Sequence, residues 1–115
     1  MNRTIFKIVN EAEWRAVEAQ SHFNGSAVDL KDGFIHFSTA EQLYETAERH
    51  FARQDNLLLL AVNAESLGDA LKWEPSRGGA LFPHLYARLA LAAVKWKASL
   101  PLDKAGRHVF PKLET

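Results

Sequence analysis

Residues 33–39 read Gly-Phe-Ile-His-Phe-Ser-Thr, a pattern typical of a short buried strand that leads into a helix. A strand turns alternate residues to opposite faces, so His36 and Ser38 share one face while Ile35 and Phe37 share the other. The imidazole and the hydroxyl therefore lie side by side before a helix N-terminus, whose free N–H groups favour an anion such as phosphate. We interpret this stretch as one wall of a site. The alternative is a core histidine hydrogen-bonded to a backbone carbonyl.

Short strands and helices alternate on both sides of this stretch. Apolar and β-branched runs predict strands over residues 4–9, 34–38, 57–62, 71–74 and 91–98, and Pro75 is expected to end the fourth. Helical spacing and capping residues predict helices over 11–19 and from residue 40 to the Gln-Asp-Asn at 54–56, with one helical turn at 64–70. Turn residues predict a loop over 20–32. An α+β domain with short mixed strands is therefore expected.

The composition predicts one small domain, residues 1–115, with a tail from about residue 101 that shows little periodicity. Fourteen basic residues balance fourteen acidic ones, so general nucleic-acid binding is not expected. The chain has no cysteine and no His-x-x-x-His pair, so we expect no disulfide and no metal. No purely apolar run is longer than Leu57–Val62, which is far shorter than a membrane span. A cytoplasmic protein that does not enter a membrane is expected, and the sequence does not indicate its oligomeric state.

One carboxylate, Glu74, stands between Trp73 and Pro75, just before a Ser-Arg-Gly-Gly loop at residues 76–79. Apolar neighbours can desolvate a carboxyl group and raise its pKa, as general acid–base catalysis requires. Glu74 is therefore a candidate catalytic residue, and Arg77 is a candidate ligand-binding residue. The alternatives are an ordinary surface acid and a tight turn in which the two glycines serve the backbone alone.

Further polar groups interrupt apolar sequence at three positions. His84 and Tyr86 lie two residues apart in Phe-Pro-His-Leu-Tyr, which is extended because proline disfavours helix at the residue before it. Their rings therefore face the same way and can stack on a base or a nicotinamide, although a packed edge strand explains the pattern equally well. Lys7, within Ile-Phe-Lys-Ile-Val, lies either at an exposed strand edge, the simpler explanation, or against a polar cavity. Trp14 and Trp96 are predicted to lie in the core.

The order of these motifs resembles a bacterial family known only as domain of unknown function 952. The resemblance covers nearly the whole chain and rests on the first strand, Trp14, the 33–39 stretch, Trp73-Glu74-Pro75 and Phe-Pro-His-Leu-Tyr. That family is in turn similar to a small, divergent ADP-ribosyltransferase fold. Its nearest likeness there is to the tRNA 2'-phosphotransferases, whose second motif has a His-hydrophobic-Ser pattern like residues 36–38.

This resemblance implies two packed, mostly antiparallel sheets with two main helices and a cleft between the sheets that binds NAD. It implies that Lys7 takes a first-strand position that usually carries Arg or His, that His36 and Ser38 shape the nicotinamide pocket, and that Glu74 orients the ribose. The implied function is an NAD-dependent transfer of ADP-ribosyl or phosphate groups, in which Lys7 or Arg77 neutralises the diphosphate and Tyr86 stacks. Two alternatives stay open: a non-catalytic module that binds a nucleotide or another small ligand, and a protein-interaction domain.

Overall fold

Eight short strands and three α-helices alternate along the chain in the computed structural model, which describes residues 3–113 and, at Arg77, the backbone alone. In order they are β1 (Thr4–Asn10), α1 (Glu11–Val17), β2 (His22–Phe23), α2 (Ala27–Asp32), β3 (Ile35–His36), α3 (Ala40–His50), β4 (Leu57–Asn63), β5 (Leu71–Ser76), β6 (Ala80–Leu85), β7 (Leu89–Ala90) and β8 (Val94–Ser99). Tight 3₁₀ turns occupy Ala64–Ala70, Arg77–Gly79 and Leu91–Ala93.

The first sheet has β4 at its centre, between β1 and β8, with antiparallel neighbours on both sides. Because β4 is covered on both faces, its side chains alternate between two cores and are apolar without a break. The first core receives Leu58, Leu60 and Val62, and the second receives Leu57, Leu59 and Ala61. The predicted strands over 4–9 and 57–62 are confirmed, each extended by one residue at its end.

The second sheet has β6 at its centre, between β3 and β5, again with antiparallel neighbours. The prediction that Pro75 ends β5 is wrong, because the strand continues to Ser76. Proline is tolerated there because β5 is an edge strand, which leaves one row of its N–H groups unpaired. The backbones of Phe6 and Ser38 exchange two hydrogen bonds of 2.8 Å. Residues 35–38 therefore run from the second sheet onto the edge of the first.

The predicted loop over residues 20–32 is wrong, because it contains β2, which pairs with β7, and the helix α2. Asp29 accepts a hydrogen bond of 2.8 Å from the backbone N–H of Ser26 at the start of α2, and Gly33 ends the helix with a φ of 87°. The helix has only six residues and leaves Val28 and Leu30 exposed. It therefore has no apolar stripe from which a helix could be predicted.

Trp14 and Trp96 pack against the two cores, and the tail follows the last strand. Trp14 on α1 is buried in the first core, and Trp96 on β8 packs against the second core beside Phe6. The predicted last strand begins three residues late, at Val94, because residues 91–93 form a turn. Residues 101–113 contain no strand or helix, apart from an isolated bridge between Leu102 and His108. Residues 3–113 thus form one α+β unit, and no helix among them is long and apolar enough to cross a membrane.

Candidate functional site

Four ring side chains meet where β3 pairs with β6. His36 and His84 are directly opposite each other in the strand register, and their ring centroids are 5.6 Å apart. Phe34 stacks on the His84 ring at 4.1 Å, and its centroid lies 4.5 Å from that of His36 and 5.2 Å from that of Tyr86. We call Phe34, His36, His84 and Tyr86 the ring cluster. It brings three of the predicted site residues together.

Glu74 joins the ring cluster from the edge strand β5. Its Oε1 accepts a hydrogen bond of 2.7 Å from the Tyr86 hydroxyl and lies 2.8 Å from His84 Nδ1. The bond from Tyr86, followed by that from His84, lowers the pKa of the Glu74 carboxyl below its ordinary value. The same bond raises the pKa of the Tyr86 hydroxyl. The carboxylate is 38% exposed, so it is reachable from solvent although it is held in place.

The expectation that Trp73 and Pro75 desolvate Glu74 and raise its pKa is wrong. Alternate residues of a strand face opposite ways, so both apolar neighbours lie on the face of β5 away from the carboxylate. The Trp73 indole packs against the first core, with the Arg3 guanidinium 4.5 Å from its centroid. Glu74 instead meets the hydrogen-bond donors of His84 and Tyr86, which favour its charged form.

A buried ionic network supports the ring cluster from the side of α2. Asp29 Oδ1 lies 2.6 Å from His36 Nδ1, and Asp29 Oδ2 lies 3.0 Å from Lys7 Nζ. Lys7 Nζ also donates a hydrogen bond of 3.1 Å to the backbone carbonyl of His36. The second ring nitrogen of His36, Nε2, lies 2.9 Å from Asp32 Oδ2. We call Lys7, Asp29, Asp32 and His36 the carboxylate network. Two carboxylates therefore fix both edges of the His36 ring.

Burial and pairing act in opposite directions on the two innermost charges. Burial alone would raise the pKa of the Asp29 carboxyl, but the hydrogen bond from His36 and the charge of Lys7 outweigh it and hold that pKa at about 2. For Lys7 burial is the larger effect, so the pKa of its ammonium group is lowered despite the attraction of Asp29. Asp29 is therefore firmly ionised at neutral pH, and the lysine is held in a position that is unfavourable for its charge.

The exposed-edge explanation for Lys7 is wrong. β1 is an edge strand of the first sheet, yet only 6% of the Lys7 side chain is exposed because it points towards Asp29 on α2. The side chain of Lys7 instead lies against buried polar groups, which is the alternative that the sequence left open. The ammonium group is committed to Asp29 and to the carbonyl of His36.

Ser38 and Arg77, the other predicted site residues, do not join the ring cluster in the described contacts. The Ser38 side chain is buried, and its hydroxyl lies 2.7 Å from that of Thr46 on α3. Only the backbone of Arg77 is described, so the role predicted for its side chain falls outside the described residues. Gly78 and Gly79 have φ of 70° and 87°, the left-handed conformations that favour glycine. The geometry of the turn is enough to require both of them.

Sequence reasoning missed Asp29, Asp32 and the stacking role of Phe34. The sequence held a weak indication of the two aspartates. Asp29 follows Ser26 by three residues, as in a capping box, and Asp32 precedes His36 by four, a spacing at which residues pair along a helix.

Two clefts of about 560 and 290 Å³ lie away from the ring cluster and are lined by neither His36 nor Glu74. Within residues 3–113 no three His, Cys, Asp or Glu side chains are grouped so as to hold a metal ion.

Comparison with known proteins assigns the chain to a family. A family model described as "Protein of unknown function (DUF952)" matches residues 8–97. The chain belongs to this family. The segment matched by the DUF952 model contains the whole ring cluster, Glu74 and both aspartates of the network, whereas Lys7 lies one residue before it. The family description states no activity.

Solved structures of a bacterial DUF952 relative have the same architecture. The crystal structure of protein CC0527 from Caulobacter crescentus is 57% identical, with a TM-score of 0.88, over 92% of this chain and 93% of that one. The solution NMR structure of the same protein is 58% identical, with a TM-score of 0.81, over 90% of both chains. A search of curated proteins found no match.

Proposed function

We propose that this protein binds NAD beside the ring cluster and Glu74, on an ADP-ribosyltransferase-like fold, and transfers an ADP-ribosyl or phosphate group to an acceptor. The observation that supports the proposal most is the arrangement of Glu74. Its Oε1 is occupied by His84 and Tyr86, whereas none of the described hydrogen bonds, which leave out the Arg77 side chain, uses its Oε2. A carboxylate that is oriented through one oxygen, with the other oxygen unused in the described contacts, suits the recognition of a ribose hydroxyl.

The rings next to Glu74 suit the flat parts of a dinucleotide. Tyr86 is 46% exposed and adjoins Phe34, whose own ring is stacked on His84. Stacking of a nicotinamide or an adenine on such a surface uses apolar contact and requires no movement of the sheet. His36, with one-third of its side chain exposed, borders the same surface.

In this proposal the chemistry at Glu74 is electrostatic. When NAD reacts, the bond between ribose C1' and the nicotinamide nitrogen breaks, and its electron pair leaves with nicotinamide. The acceptor then attacks C1' and loses a proton. For phosphate transfer the acceptor is a phosphate monoester: its oxygen bonds to C1', the neighbouring ribose hydroxyl then attacks the phosphorus, and the P–O bond to the alcohol breaks as the alcohol leaves with the hydroxyl proton. Positive charge develops on the ribose as the bond breaks, and a nearby carboxylate stabilises it. The lowered pKa of Glu74 keeps the carboxylate charged for this role.

The other candidate residues take supporting roles in the proposal. Lys7 acts through Asp29 and His36, because its ammonium group is buried between them. Ser38 fixes the path between the two sheets through its bridge to Phe6. Arg77, in the turn that follows Glu74 on β5, is the remaining cation that we propose for the diphosphate.

The test is calorimetry with NAD together with chromatographic measurement of released nicotinamide. We expect the wild-type protein to bind NAD and release nicotinamide, and Glu74→Gln to bind it with release reduced by about a hundredfold. Glu41→Gln, which removes an exposed carboxylate on α3, is the matched control and should leave release unchanged. Absence of both binding and release in the wild-type protein would reject the proposal.

A non-catalytic nucleotide-binding module is the second candidate, and the surroundings of His36 favour it. Both ring nitrogens contact carboxylates, so in this arrangement neither is free to form a hydrogen bond with a ligand. This candidate predicts that NAD or another nucleotide raises the melting temperature while no nicotinamide appears. It also predicts that Glu74→Gln changes nucleotide binding little, and that neither this variant nor the wild-type protein releases nicotinamide.

A further inference from the structure

The cleft of about 560 Å³ lies between α3 and the tail, and it shares no residue with the ring cluster or the carboxylate network. Its volume is within the range of small-molecule sites, about 300–1,000 Å³. The side chains that give it chemical character are two arginines, two aromatic rings, a histidine and one acid: Arg53, Arg107, Tyr44, Phe110, His108 and Glu48.

The two arginines give this cleft its charge. Among the described residues, no ion pair of 4 Å or less joins either guanidinium to a carboxylate, although Glu48 lies in the same lining and the charge of Arg107 acts on Asp103. Arg53 has a φ of 62°, a left-handed conformation that a residue with a long side chain rarely adopts. This position lies just past the end of α3, where a left-handed residue is common and is usually glycine.

The tail presents the second arginine on a fixed turn. Asp103 Oδ1 accepts hydrogen bonds from the backbone N–H groups of Ala105 and Arg107, at 2.8 and 3.0 Å. Gly106 has a φ of 81°, and a Cβ at this position would lie only 3.3 Å from Arg53 Nη1. The glycine therefore lets the Arg53 guanidinium lie directly against the turn that carries Arg107.

Aromatic edges form the apolar part of the cleft. Tyr44 is 53% exposed and packs edge-to-face on Phe110, with centroids 4.6 Å apart. His108 Nε2 lies 2.8 Å from the backbone carbonyl of Gln54, which ties the tail to the segment that follows α3. The walls are thus fixed to each other, and a flat ring can lie along the exposed side of Tyr44.

We propose that this cleft binds a phosphate monoester that carries a flat ring, such as a nucleoside monophosphate. A guanidinium group can bind two phosphate oxygens at once through two N–H groups, and Arg53 and Arg107 are the two arginines of the lining. The ring packs along Tyr44 and Phe110, while Glu48 accepts hydrogen bonds from sugar hydroxyls. The charge of Glu48 also opposes a longer polyphosphate. This site is independent of the function proposed for Glu74.

The experiment is calorimetry with AMP on the full chain, with adenosine and inorganic phosphate titrated separately. We expect AMP to bind at least tenfold more tightly than either. Arg53→Gly should weaken AMP binding at least tenfold without lowering the melting temperature, because glycine adopts the left-handed backbone freely. Arg107→Ala should weaken binding similarly. Lys104→Ala, an exposed cation of the same turn that does not line the cleft, should leave it unchanged.

Several outcomes would overturn this inference. These are no binding at millimolar AMP, unchanged binding in Arg53→Gly, or adenosine or inorganic phosphate binding as tightly as AMP. Loss of AMP binding in Glu74→Gln with retention in Arg53→Gly would also overturn it, because AMP would then occupy the site beside the ring cluster. Failure of the NAD experiment leaves this result unaffected.

Discussion

Two histidine–carboxylate pairs lie side by side in this protein, and their burial is reversed. In the first pair Asp29 is 1% exposed while His36 is 33% exposed. In the second pair His84 is 8% exposed while Glu74 is 38% exposed. In each case the buried member orients the accessible one through a contact at Nδ1. The geometry therefore separates the solvent-accessible members of the pairs, His36 and Glu74, from the buried members that hold them.

The reversal has an energetic consequence. A buried carboxylate needs its partners because an uncompensated charge in a low-dielectric interior is costly. A part-exposed carboxylate that loses its partners is solvated by water instead. The stability of the fold should therefore depend strongly on Asp29 and weakly on Glu74, whereas ligand binding should depend on Glu74.

The largest expected effect is that of Asp29→Ala. Removal of this carboxylate leaves Lys7 buried without its counter-charge, and should lower the free energy of unfolding by about 3–5 kcal/mol. Denaturation by urea measures the loss. Asp32→Asn is the control, because Asp32 is 40% exposed and also contacts His36, and it should cost less than about 1 kcal/mol. Equal losses in the two variants would show that burial does not distinguish the carboxylates.

Acid should affect the wild-type protein through the same residue. The Asp29 carboxyl has a pKa of about 2 in the folded chain against an ordinary value of 3.8. A pKa that is lower in the folded state contributes stability that is complete above the ordinary value and is lost as the pH falls through the folded value. A shift of this size corresponds to about 2 kcal/mol.

The measurement is the difference in unfolding free energy between the wild-type protein and Asp29→Asn. This difference should shrink by about 2 kcal/mol between about pH 5 and about pH 2, while the corresponding difference for Glu74→Gln should change less. A difference for Asp29→Asn that stays constant over this range would mean that the carboxyl titrates normally in the folded chain.

The difference between the two pairs also explains what the sequence could predict. The strands β1 and β4 and the helix α3 were found because their patterns are long and strongly apolar. Glu74, His36 and His84 were singled out because polar side chains interrupt apolar strands. Asp29 was missed because it lies in a six-residue helix with exposed apolar residues, and its usual role there is a helix cap.

Contacts between distant segments were beyond local patterns. The polar partner of Lys7 on α2 is 22 positions away in the sequence, so the residues around Lys7 could not reveal it. The direction of the Glu74 pKa shift depends on His84 and Tyr86, which reach it across the sheet. Its sequence neighbours Trp73 and Pro75 pointed to the opposite direction, because they lie on the other face of the strand.

The smallest expected effect is a change in the pKa of Tyr86. It tests the contact between Tyr86 and Glu74 separately from the network around Asp29. The bond to Glu74 raises the pKa of the Tyr86 hydroxyl above its ordinary value of 10.0, because it favours the protonated phenol. Glu74→Gln removes the negative charge, so the pKa should fall back towards that value. Tyr44→Phe leaves Tyr86 as the only tyrosine, and the absorbance of the phenolate then reports its titration. Asp29→Asn in the same background should leave the midpoint unchanged, since Asp29 has no contact with the phenol. Equal midpoints with and without the Glu74 charge would mean that the hydroxyl does not hold this carboxylate in solution, and the case for an oriented Glu74 would fail with it.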